Sequence, residues 1–405
     1  MNANLPLISV VIPTYNQAQF LVNTIQSALV QTYRNIEIIV VDDGSTDETP
    51  KIIQQYGELI QYIRQDNQGL AGARNTGICT AKGQFVALLD SDDLWLPSFL
   101  EVMATRIAEN PGATVYYCGW RYIDSEGQLL PQSPHTWLVP QREMYQTLLR
   151  ANFIIPSTVV MNRSRVVEAG LFDPSFRRLQ DWEFWLRLLM ADHVFIGSTA
   201  CLVHYRLHGG ALSVDHLGGH QAALAIAEKL FGKDDGLPQS WSLDKRRAYG
   251  GVYRYHLLTF IQRQNDWQAA TNSLQQALQV DPSLAMDLGL FYDLALGSQT
   301  AGYRGTGQQL ELSKNADQIQ RLLADVFYSS GGLRKVRRSA YGTAYFALGL
   351  VAYNTKQLHL CREYLTKAVF YRPALCFDFR LLGDLVKSNL NPVLMDKLRQ
   401  LKGAG

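Results

Sequence analysis

Short apolar runs alternate with segments of helical periodicity along roughly the first 120 residues, and this alternation limits the possible folds. Apolar, β-branched runs at 8–12, 36–41 and 85–89 predict buried strands. Apolar residues at helical spacing predict helices over 20–31 and 70–81. Repeated strand–helix alternation is typical of an α/β fold with a mostly parallel, doubly wound sheet. Further elements are predicted near 49–56, 60–63, 97–109 and 114–118.

Three carboxylates follow the 85–89 run within four residues: Asp90, Asp92 and Asp93, with Ser91 between the first two. Open α/β sheets bind ligands at the carboxyl ends of their strands. Like charges so close together are unfavourable unless a cation or hydrogen-bond donors lie among them. Hard oxygen ligands suit Mg²⁺ or Mn²⁺, which commonly take one or two carboxylates plus phosphate oxygens of a substrate. The alternative is a polar turn whose aspartates cap the next helix.

Polar residues also follow the two earlier strands. Thr14 and Tyr15 come after the first strand, and Asp42 and Asp43 after the second. Because the carboxyl ends of parallel strands point the same way, these groups and the three aspartates are expected to meet at one crevice. No G-x-G-x-x-G follows the first strand and the chain has no GK[ST], which excludes the Rossmann dinucleotide and P-loop sites.

Length and composition indicate an ordinary globular protein. With 405 residues, two domains are expected. A net charge of +2 does not indicate a nucleic-acid-binding protein. Five scattered cysteines without CxxC predict reduced thiols rather than disulfides or a zinc site. No signal peptide or apolar run long enough to span a membrane is evident, so we expect a cytoplasmic protein, free or peripheral at the membrane.

Four motifs, in order, carry a resemblance to a known family. They are IPTYN at 12–16, EIIVVDDGSTD at 37–47, NQGLAGARNTG at 67–77 and FVALLDSDD at 85–93. In order and spacing they resemble the family 2 glycosyltransferases of the GT-A fold, over about residues 5–215. The resemblance implies an inverting, metal-dependent transfer from a nucleoside-diphosphate sugar, most often a UDP-sugar, to an acceptor hydroxyl. Synthesis of a cell-surface polysaccharide or glycoconjugate is the expected setting.

The same resemblance implies roles for the motif residues. Pro13, Thr14 and Tyr15 would line the nucleotide pocket, and Asp43, with Asp42, would read the base edge. Arg74 would lie near the diphosphate. The full set expected to bind the nucleotide sugar is Pro13, Thr14, Tyr15, Asp42, Asp43, Arg74, Asp90 and Ser91. The ligands expected for Mn²⁺ or Mg²⁺ are Asp92, Asp90 and Asp93.

A second chemical stretch occupies residues 171–190. Trp182 and Trp185 fall at helical core spacing, so both are expected to be buried. Asp181 stands where that helix should begin, as an N-cap does. By resemblance Asp181 is the catalytic base, although the family usually has Glu-Asp there and this chain has Gln180 before the aspartate. Both roles are compatible, because a helix N-terminus favours the ionised carboxylate.

The segment 204–208, HYRLH, resembles the end of the family's catalytic domain. His208 is a candidate for contacting phosphate or metal, whereas a lone histidine is more often structural. The QxxRW signature of the family's processive, membrane-embedded members does not occur. Its absence from this sequence argues against a polymer-extruding synthase.

From residue 221 onwards the strand patterns stop, which predicts two domains, 1–220 and 221–405. Two segments fit a tetratricopeptide-like pattern that closes with Pro282 and Pro373. Residues 297–307 between them are predicted to form a loop. A plain helical bundle is the alternative. The matching positions are Leu257, Leu258, Ala270, Leu274 and Ala277 in one segment, and Tyr345, Leu348, Gly349, Leu365 and Ala368 in the other.

One dense basic cluster lies in the helical domain. Such charge runs usually solvate a helix face. The alternative is a contact with protein, with an anionic membrane surface or with a lipid-linked diphosphate acceptor, each charge near such a surface contributing ~1 kcal/mol. The cluster consists of Arg334, Lys335, Arg337 and Arg338.

A rival hypothesis is a catalytically silent nucleotide-sugar-binding scaffold with a protein-binding helical domain. Gln180 and the repeat-like segments favour it. The Asp90-x-Asp92 pair and Asp181 argue against it, because a binding module does not need a base opposite a metal site. A nucleotidyltransferase is a closer alternative, but its usual Gly-rich, Lys-containing first loop is missing at Thr14-Tyr15-Asn16.

Overall fold

The computed structural model describes residues 6–209, 216–329 and 331–377. The chain forms two compact units, Met1–Gly232 and Lys233–Gly405. Within the described ranges, no helix combines the length and the apolar character needed to cross a lipid bilayer.

The described part of the first unit contains one eight-stranded mixed sheet. Its strands are β1 (Ile8–Thr14), β2 (Ile36–Asp42), β3 (Gln61–Arg64), β4 (Phe85–Leu88), β5 (Leu94–Trp95), β6 (Val115–Ile123), β7 (Val159–Asn162) and β8 (Phe195–Arg206). Their order across the sheet is β3-β2-β1-β4-β7-β6-β8-β5.

The first four strands form the predicted parallel half of the sheet. β1 pairs in parallel with β2 on one side and with β4 on the other, and β2 pairs in parallel with β3. Thr14 lies beside Asp42, and Val11 lies beside Leu88. The carboxyl ends of β1, β2 and β4 therefore meet at one edge of the sheet, as parallel pairing requires.

The other half of the sheet is mixed rather than parallel throughout. β7 runs antiparallel between β4 and β6, and β5 runs antiparallel to β8. β6 and β8 pair in parallel. The residues Val159–Met161 are buried, and an apolar run of this kind fits a buried strand of either direction. The sequence pattern therefore could not reveal the reversal at β7.

Helices cover the sheet and complete the first unit. They are α1 (Ala18–Leu29), α2 (Thr49–Gln54), α3 (Gly69–Thr80), α4 (Phe99–Glu109), α5 (Gln141–Leu148), α6 (Arg163–Glu168), α7 (Gln180–Met190) and α8 (His216–Phe231). The early helices lie within two residues of the predicted bounds. The apolar faces of α1, α2 and α4 pack with β1, β2 and β4 in one core, in which Leu21, Ile25 and Val10 are completely buried.

Helix α3 approaches the sheet unusually closely at Gly77. A Cβ atom on this glycine would lie 2.3 Å from Cγ1 of Val11 in β1, well inside van der Waals contact. Gly77 is thus the residue that lets the last turn of α3 rest on strand β1.

The first unit extends beyond the predicted boundary at residue 220, because it includes the whole of α8. Lys229 of α8 forms ion pairs with Asp173 and with Glu183 of α7, at 2.7 Å each. These contacts tie α8 to the α/β unit, and the unit ends at Gly232. Patterning alone did not indicate this, since α8 reads as one more helix in a helical region.

The described part of the second unit is helical. Its helices are α9 (Leu243–Thr259), continued by a π-helical turn at Phe260–Gln264, α10 (Trp267–Val280), α11 (Leu288–Leu296), α12 (Leu312–Ser329), α13 (Arg334–Asn354) and α14 (Leu358–Tyr371). They share one apolar core. The predicted loop at 297–307 lies between α11 and α12.

Helices α13 and α14 pack closely at Gly349, a small residue that matches the predicted repeat pattern. A Cβ on Gly349 would lie 2.3 Å from Cδ2 of Leu365, so the two helices touch closely there. Leu348, Leu365 and Ala368 are completely buried. Pro282 and Pro373 each begin a short 3₁₀ helix after α10 and α14. The tetratricopeptide-like nature of the unit stays a prediction.

The α3–β1 contact predicts a cost for adding one methyl group. Gly77→Ala should lower the free energy of unfolding by about 1–3 kcal/mol through overpacking against Val11. The loss should appear even though alanine favours helices more than glycine does. Gly112→Ala is the matched control, because a Cβ there meets nothing within 4 Å. Denaturant unfolding of both variants tests the contact, and equal stability of the two would contradict it.

Candidate active site

A cavity of about 390 Å³ lies at the carboxyl ends of β1, β2 and β4. It is the place where the sequence predicted that the polar strand ends would meet. The residues that line it are Pro13, Thr14, Tyr15, Gln17, Asp43, Asn67, Gly69, Leu70, Ala73, Asp90, Ser91, Asp92, Arg177, Arg178 and Tyr205.

The end of β1 contributes an aromatic wall and an unsatisfied hydroxyl. Tyr15 is 48% exposed and lines the cavity beside Thr14. The Thr14 Oγ1 atom is buried and has no hydrogen-bond partner among the described residues. Asn16 adopts φ 51° and ties this turn to the one after β2, since its Oδ1 accepts the Thr46 N–H at 2.8 Å. The geometry leaves one polar group of β1 available to a ligand.

The two aspartates that follow β2 have different surroundings. Asp42 is completely buried and does not line the cavity; its oxygens accept the Ser45 N–H at 2.8 Å and the Tyr62 hydroxyl at 2.9 Å. The expectation that Asp42 contacts the nucleotide is therefore not met, because its carboxylate closes the turn from within. Asp43 lines the cavity and is the better candidate.

Asp43 also anchors the segment that enters α3. Its Oδ1 accepts the Gln68 N–H at 2.9 Å and the Gln65 Nε2–H at 2.7 Å, and its Oδ2 accepts the Gly69 N–H at 2.7 Å. A carboxylate offers about four acceptor positions, so these bonds leave capacity toward the cavity. Asp43 thus fixes the start of α3 while it faces the site.

Arg74 lies beneath the cavity instead of facing it. Its side chain is 1% exposed, and its Nη2 donates to Asp90 Oδ1 at 2.6 Å. Its Nε and Nη1 have no hydrogen-bond partner among the described residues. The expected contact with a diphosphate does not fit this position, because helix α3 buries the guanidinium behind Asp90. Burial raises the pKa of Asp90, Arg74 opposes that rise, and neighbouring Asp92 adds to it.

Asp92 faces the cavity and lies beside His208, a second side chain of a type that binds metal ions. Its Oδ2 lies 2.9 Å from Nε2 of His208, which follows β8. The His208 ring also packs on Phe20 of α1, with centroids 4.7 Å apart. The sequence singled out both residues, and the fold brings them together although they are 116 positions apart.

Asp93 is excluded as a metal ligand by its contacts. It is 1% exposed; its Oδ2 accepts the Ser157 hydroxyl at 2.6 Å and its Oδ1 accepts the Arg206 N–H at 3.0 Å. Burial raises the pKa of Asp93 well above its usual range, and the charges of Asp92 and Asp90 raise it further. The prediction for Asp93 is corrected because its side chain points into the protein, where it joins the aspartate turn to β8.

The donor set suits a divalent ion that binds together with a substrate. Among the described residues, no three His, Cys, Asp or Glu side chains converge as a complete metal site. Asp92, with His208 beside it and Asp90 in the same turn, offers a partial set at the cavity wall. Mg²⁺ and Mn²⁺ accept such partial sets when phosphate oxygens and water supply the other ligands. The residues present therefore fit a metal held jointly with a diphosphate.

Asp181 lies in the first turn of α7 and not at its cap. The N-cap is Leu179, in the left-handed conformation with φ 53° and without a side-chain cap bond. The capping alternative for Asp181 is therefore wrong. Its Oδ2 accepts the Asn152 amide at 2.8 Å. Burial raises its pKa, while Arg74 and Asn152 pull the pKa down and Asp90 pushes it up. The electrostatic influence of Arg74 and Asp90 connects Asp181 to the aspartate turn.

Glu183, the next acidic residue on α7, is not available as a base. It is completely buried and pairs with Arg187 at 3.0 Å and with Lys229 at 2.7 Å. These two ion pairs give the Glu183 carboxylate a structural role within the first unit.

Arg177 and Arg178 line the cavity and were missed by the sequence analysis. The Arg177 guanidinium lies over Gly69 at the start of α3, where a Cβ would come within 2.2 Å of Nη1. Gly69 has φ +81°, a conformation that favours glycine. The sequence signal that could have found them is the adjacent pair Arg177-Arg178 shortly before Gln180 and Asp181. No role was assigned to this pair.

Sequence comparison matches this unit to known proteins. A family model described as "Glycosyl transferase family 2" matches residues 9–171. The chain is 34% identical over 212 residues to the "Putative teichuronic acid biosynthesis glycosyltransferase TuaG" of Bacillus subtilis, covering 51% of this chain and 82% of that protein. It is 33% identical over 211 residues to the "Uncharacterized glycosyltransferase RT0329" of Rickettsia typhi, covering 51% of this chain and 66% of that one, just under two thirds of its length.

Among solved structures, Staphylococcus aureus TarS 1-349 in complex with UDP is 18% identical and overlaps 74% of this chain and 89% of that one, with a TM-score of 0.46. That score is too low for the overlap to carry a conclusion about the site. The family assignment depends instead on the sequence matches and on the mixed sheet with its helical layers, which is the predicted GT-A fold. The chain therefore belongs to glycosyl transferase family 2.

Proposed function

We propose that the first unit transfers a sugar from a nucleoside-diphosphate sugar to an acceptor hydroxyl. One observation carries this proposal: buried Arg74 pairs with Asp90 of the cavity wall, and its charge also lowers the pKa of Asp181 at the start of α7. Asp90, in the wall that would bind the donor, and Asp181, the candidate base, are thus influenced by the same positive charge. A scaffold that only binds nucleotide sugar would not need this link.

A uridine nucleotide is the donor that the cavity supports best. Asp43 keeps acceptor capacity toward the cavity, and the imide N–H of uracil is a donor that it could satisfy. The unpartnered hydroxyl of Thr14 and the half-exposed ring of Tyr15 offer a polar contact and a stacking face to the nucleoside. Asp90 and Ser91 lie where the ribose would follow.

The diphosphate would meet positive charge on the opposite side of the cavity. Arg177 and Arg178 line the wall above the first residues of α3. The N-terminus of a helix and a guanidinium both favour phosphate oxygens. We therefore assign to Arg177 and Arg178 the contact that the resemblance assigned to Arg74. Arg74 would act instead by holding Asp90 in position.

Asp92 and His208 would hold Mn²⁺ or Mg²⁺ together with the diphosphate. When bound, such an ion supplies a Lewis acid that offsets the negative charge of the departing nucleoside diphosphate. The contribution of the chain itself is the placement of the Asp92 carboxylate at the cavity wall, fixed by the turn that Asp93 anchors.

Asp181 would act as the general base. It would take the proton of the acceptor hydroxyl while that oxygen attacks the anomeric carbon from the face opposite the leaving group, which inverts the configuration. The Asn152 amide orients the carboxylate, and burial brings its pKa closer to neutral, which favours proton transfer. The name of TuaG supports an acceptor that belongs to a cell-surface polysaccharide or glycoconjugate.

The second unit would contact a partner through its basic cluster. Arg334, Lys335, Arg337 and Arg338 are exposed at the start of α13. Four positive charges near a helix N-terminus oppose the helix dipole, so an anionic partner would relieve them. We infer a peripheral contact with the cytoplasmic membrane face, which would keep the enzyme near a lipid-linked acceptor.

Metal dependence is tested by comparing two neighbouring aspartates. Asp92→Asn should reduce donor turnover by about 10²- to 10³-fold, the effect of losing several kcal/mol of charge stabilisation. Asp93→Asn is the comparison variant and should lose far less turnover than Asp92→Asn, because asparagine can still accept the Arg206 N–H through Oδ1 and can donate its amide N–H to the Ser157 oxygen. Nucleotide release from UDP-sugars, measured with Mn²⁺ and with excess chelator, distinguishes the two. Full activity in chelator would rule out the proposed metal.

The role of Asp181 is tested with a substitution that keeps its shape. Asp181→Asn should slow transfer by about 10²- to 10⁴-fold while leaving UDP affinity unchanged, since only the proton acceptor is lost. The pKa of Asp181 is raised, so wild-type transfer should decline on acidification at a higher pH than an ordinary carboxyl near 3.9 would cause. Rates across pH and calorimetric UDP binding provide the measurements. A variant with normal transfer would leave the base unassigned.

A further inference from the structure

An exposed aromatic pair lies beside the segment that holds Asp181. Trp137 is 50% exposed, and its ring stacks on Phe153 with centroids 5.4 Å apart and planes inclined by 30°. Tyr117 of β6 supports Phe153 edge-on at 6.1 Å. Large aromatic rings on a protein surface commonly mark a binding site when they are held rigidly in place.

The chain connects this pair directly to the candidate base. Phe153 follows Asn152, whose amide donates to Asp181 at 2.8 Å. Ile154, the next residue, is held by the Trp185 indole of α7, which donates to its carbonyl at 3.1 Å. Since consecutive Cα atoms are 3.8 Å apart, this path puts the Trp137 ring within about 20 Å of the Asp181 carboxylate. That span is the reach of a short oligosaccharide.

We propose that Trp137, stacked on Phe153, forms an acceptor subsite that binds the sugar ring of a saccharide whose hydroxyl is presented to Asp181. The proposal depends on the proposed function, because it needs Asp181 to act on a hydroxyl. A sugar ring carries hydroxyls at its edge and C–H groups on its faces. The electron-rich face of an indole attracts such C–H groups.

The surroundings of Trp137 favour a saccharide over a lipid surface. The adjacent apolar residues are Leu138, 57% exposed, and the partly buried Val139, and the flanking residues 131–136 and 140–143 are mostly polar or proline. Trp137 lies between β6 and α5, outside any helix. Helices that lie in a membrane interface need a continuous apolar face, which this segment lacks.

The test compares Trp137→Ala with Trp137→Phe, which keeps a stacking face, and with Leu59→Ala. Leu59 is a 65% exposed apolar residue next to β3 at the opposite edge of the sheet. The acceptor probes are cellotriose, maltotriose and chitotriose, each compared with the methyl glycoside of its own sugar. The readouts are acceptor-stimulated nucleotide release and donor hydrolysis without acceptor.

We expect one trisaccharide at least to be used better than its methyl glycoside. For that trisaccharide, Trp137→Ala should raise KM by about tenfold, equivalent to ~1.4 kcal/mol. Trp137→Phe and Leu59→Ala should stay near wild type, and donor hydrolysis should be the same in all variants.

An unchanged trisaccharide KM in Trp137→Ala, or a panel in which no trisaccharide exceeds its methyl glycoside, would overturn the subsite. The subsite would also be overturned if Trp137→Ala lost only its co-sedimentation with phosphatidylglycerol vesicles, because that result would assign Trp137 to a lipid surface. All three results leave the proposed function intact as long as donor hydrolysis persists. A wild-type protein that cleaves no nucleotide sugar would contradict the proposed function and, with it, this subsite.

Discussion

The buried carboxyl group of Asp93 holds the aspartate turn in the shape on which the site depends. It accepts the Ser157 hydroxyl and the backbone N–H of Arg206, and it thereby joins the turn after β4 to β8 and to the segment before β7. The Ser157 hydroxyl in turn accepts the Asp90 N–H at 3.1 Å. With the turn fixed at both ends, Asp90 and Asp92 face the cavity. A buried acid is tolerated there because both of its oxygens are hydrogen-bonded.

Arg74 is the second constraint, because its buried positive charge pairs with Asp90 at the cavity wall and also acts on Asp181. Leaving a buried charge unpaired is strongly destabilising, so the ion pair with Asp90 is needed for the fold as well as for the site. The same guanidinium opposes the effect of burial on the pKa of Asp181. Ligand binding that alters the charge near Asp90 would therefore influence the proton affinity of the base.

The change from parallel to antiparallel pairing at β7 divides the sheet into two halves. The parallel strands β1, β2 and β4 bring the turns that carry Tyr15, Asp43 and Asp90 to one edge. Beyond β7, the connections around β6 carry Trp137 and Phe153, and α7 carries Asp181. The residues that we propose to bind the donor and the acceptor thus come from the two halves of one sheet, and strand β4 with its aspartate turn lies where the halves meet.

The sequence by itself determined the family, the α/β class of the first unit and the helical class of the second, because these follow from local periodicity and contiguous motifs. It also predicted Asp43, Asp90 and Asp92 as site residues, and all three line the cavity at the strand ends. Only the tertiary structure decided that Asp42 and Asp93 turn inward, that Arg74 is buried and that Arg177 lines the cavity. The direction of a side chain in a turn is set by partners distant in the chain, such as Ser157 and Arg206 for Asp93, and no local pattern encodes them.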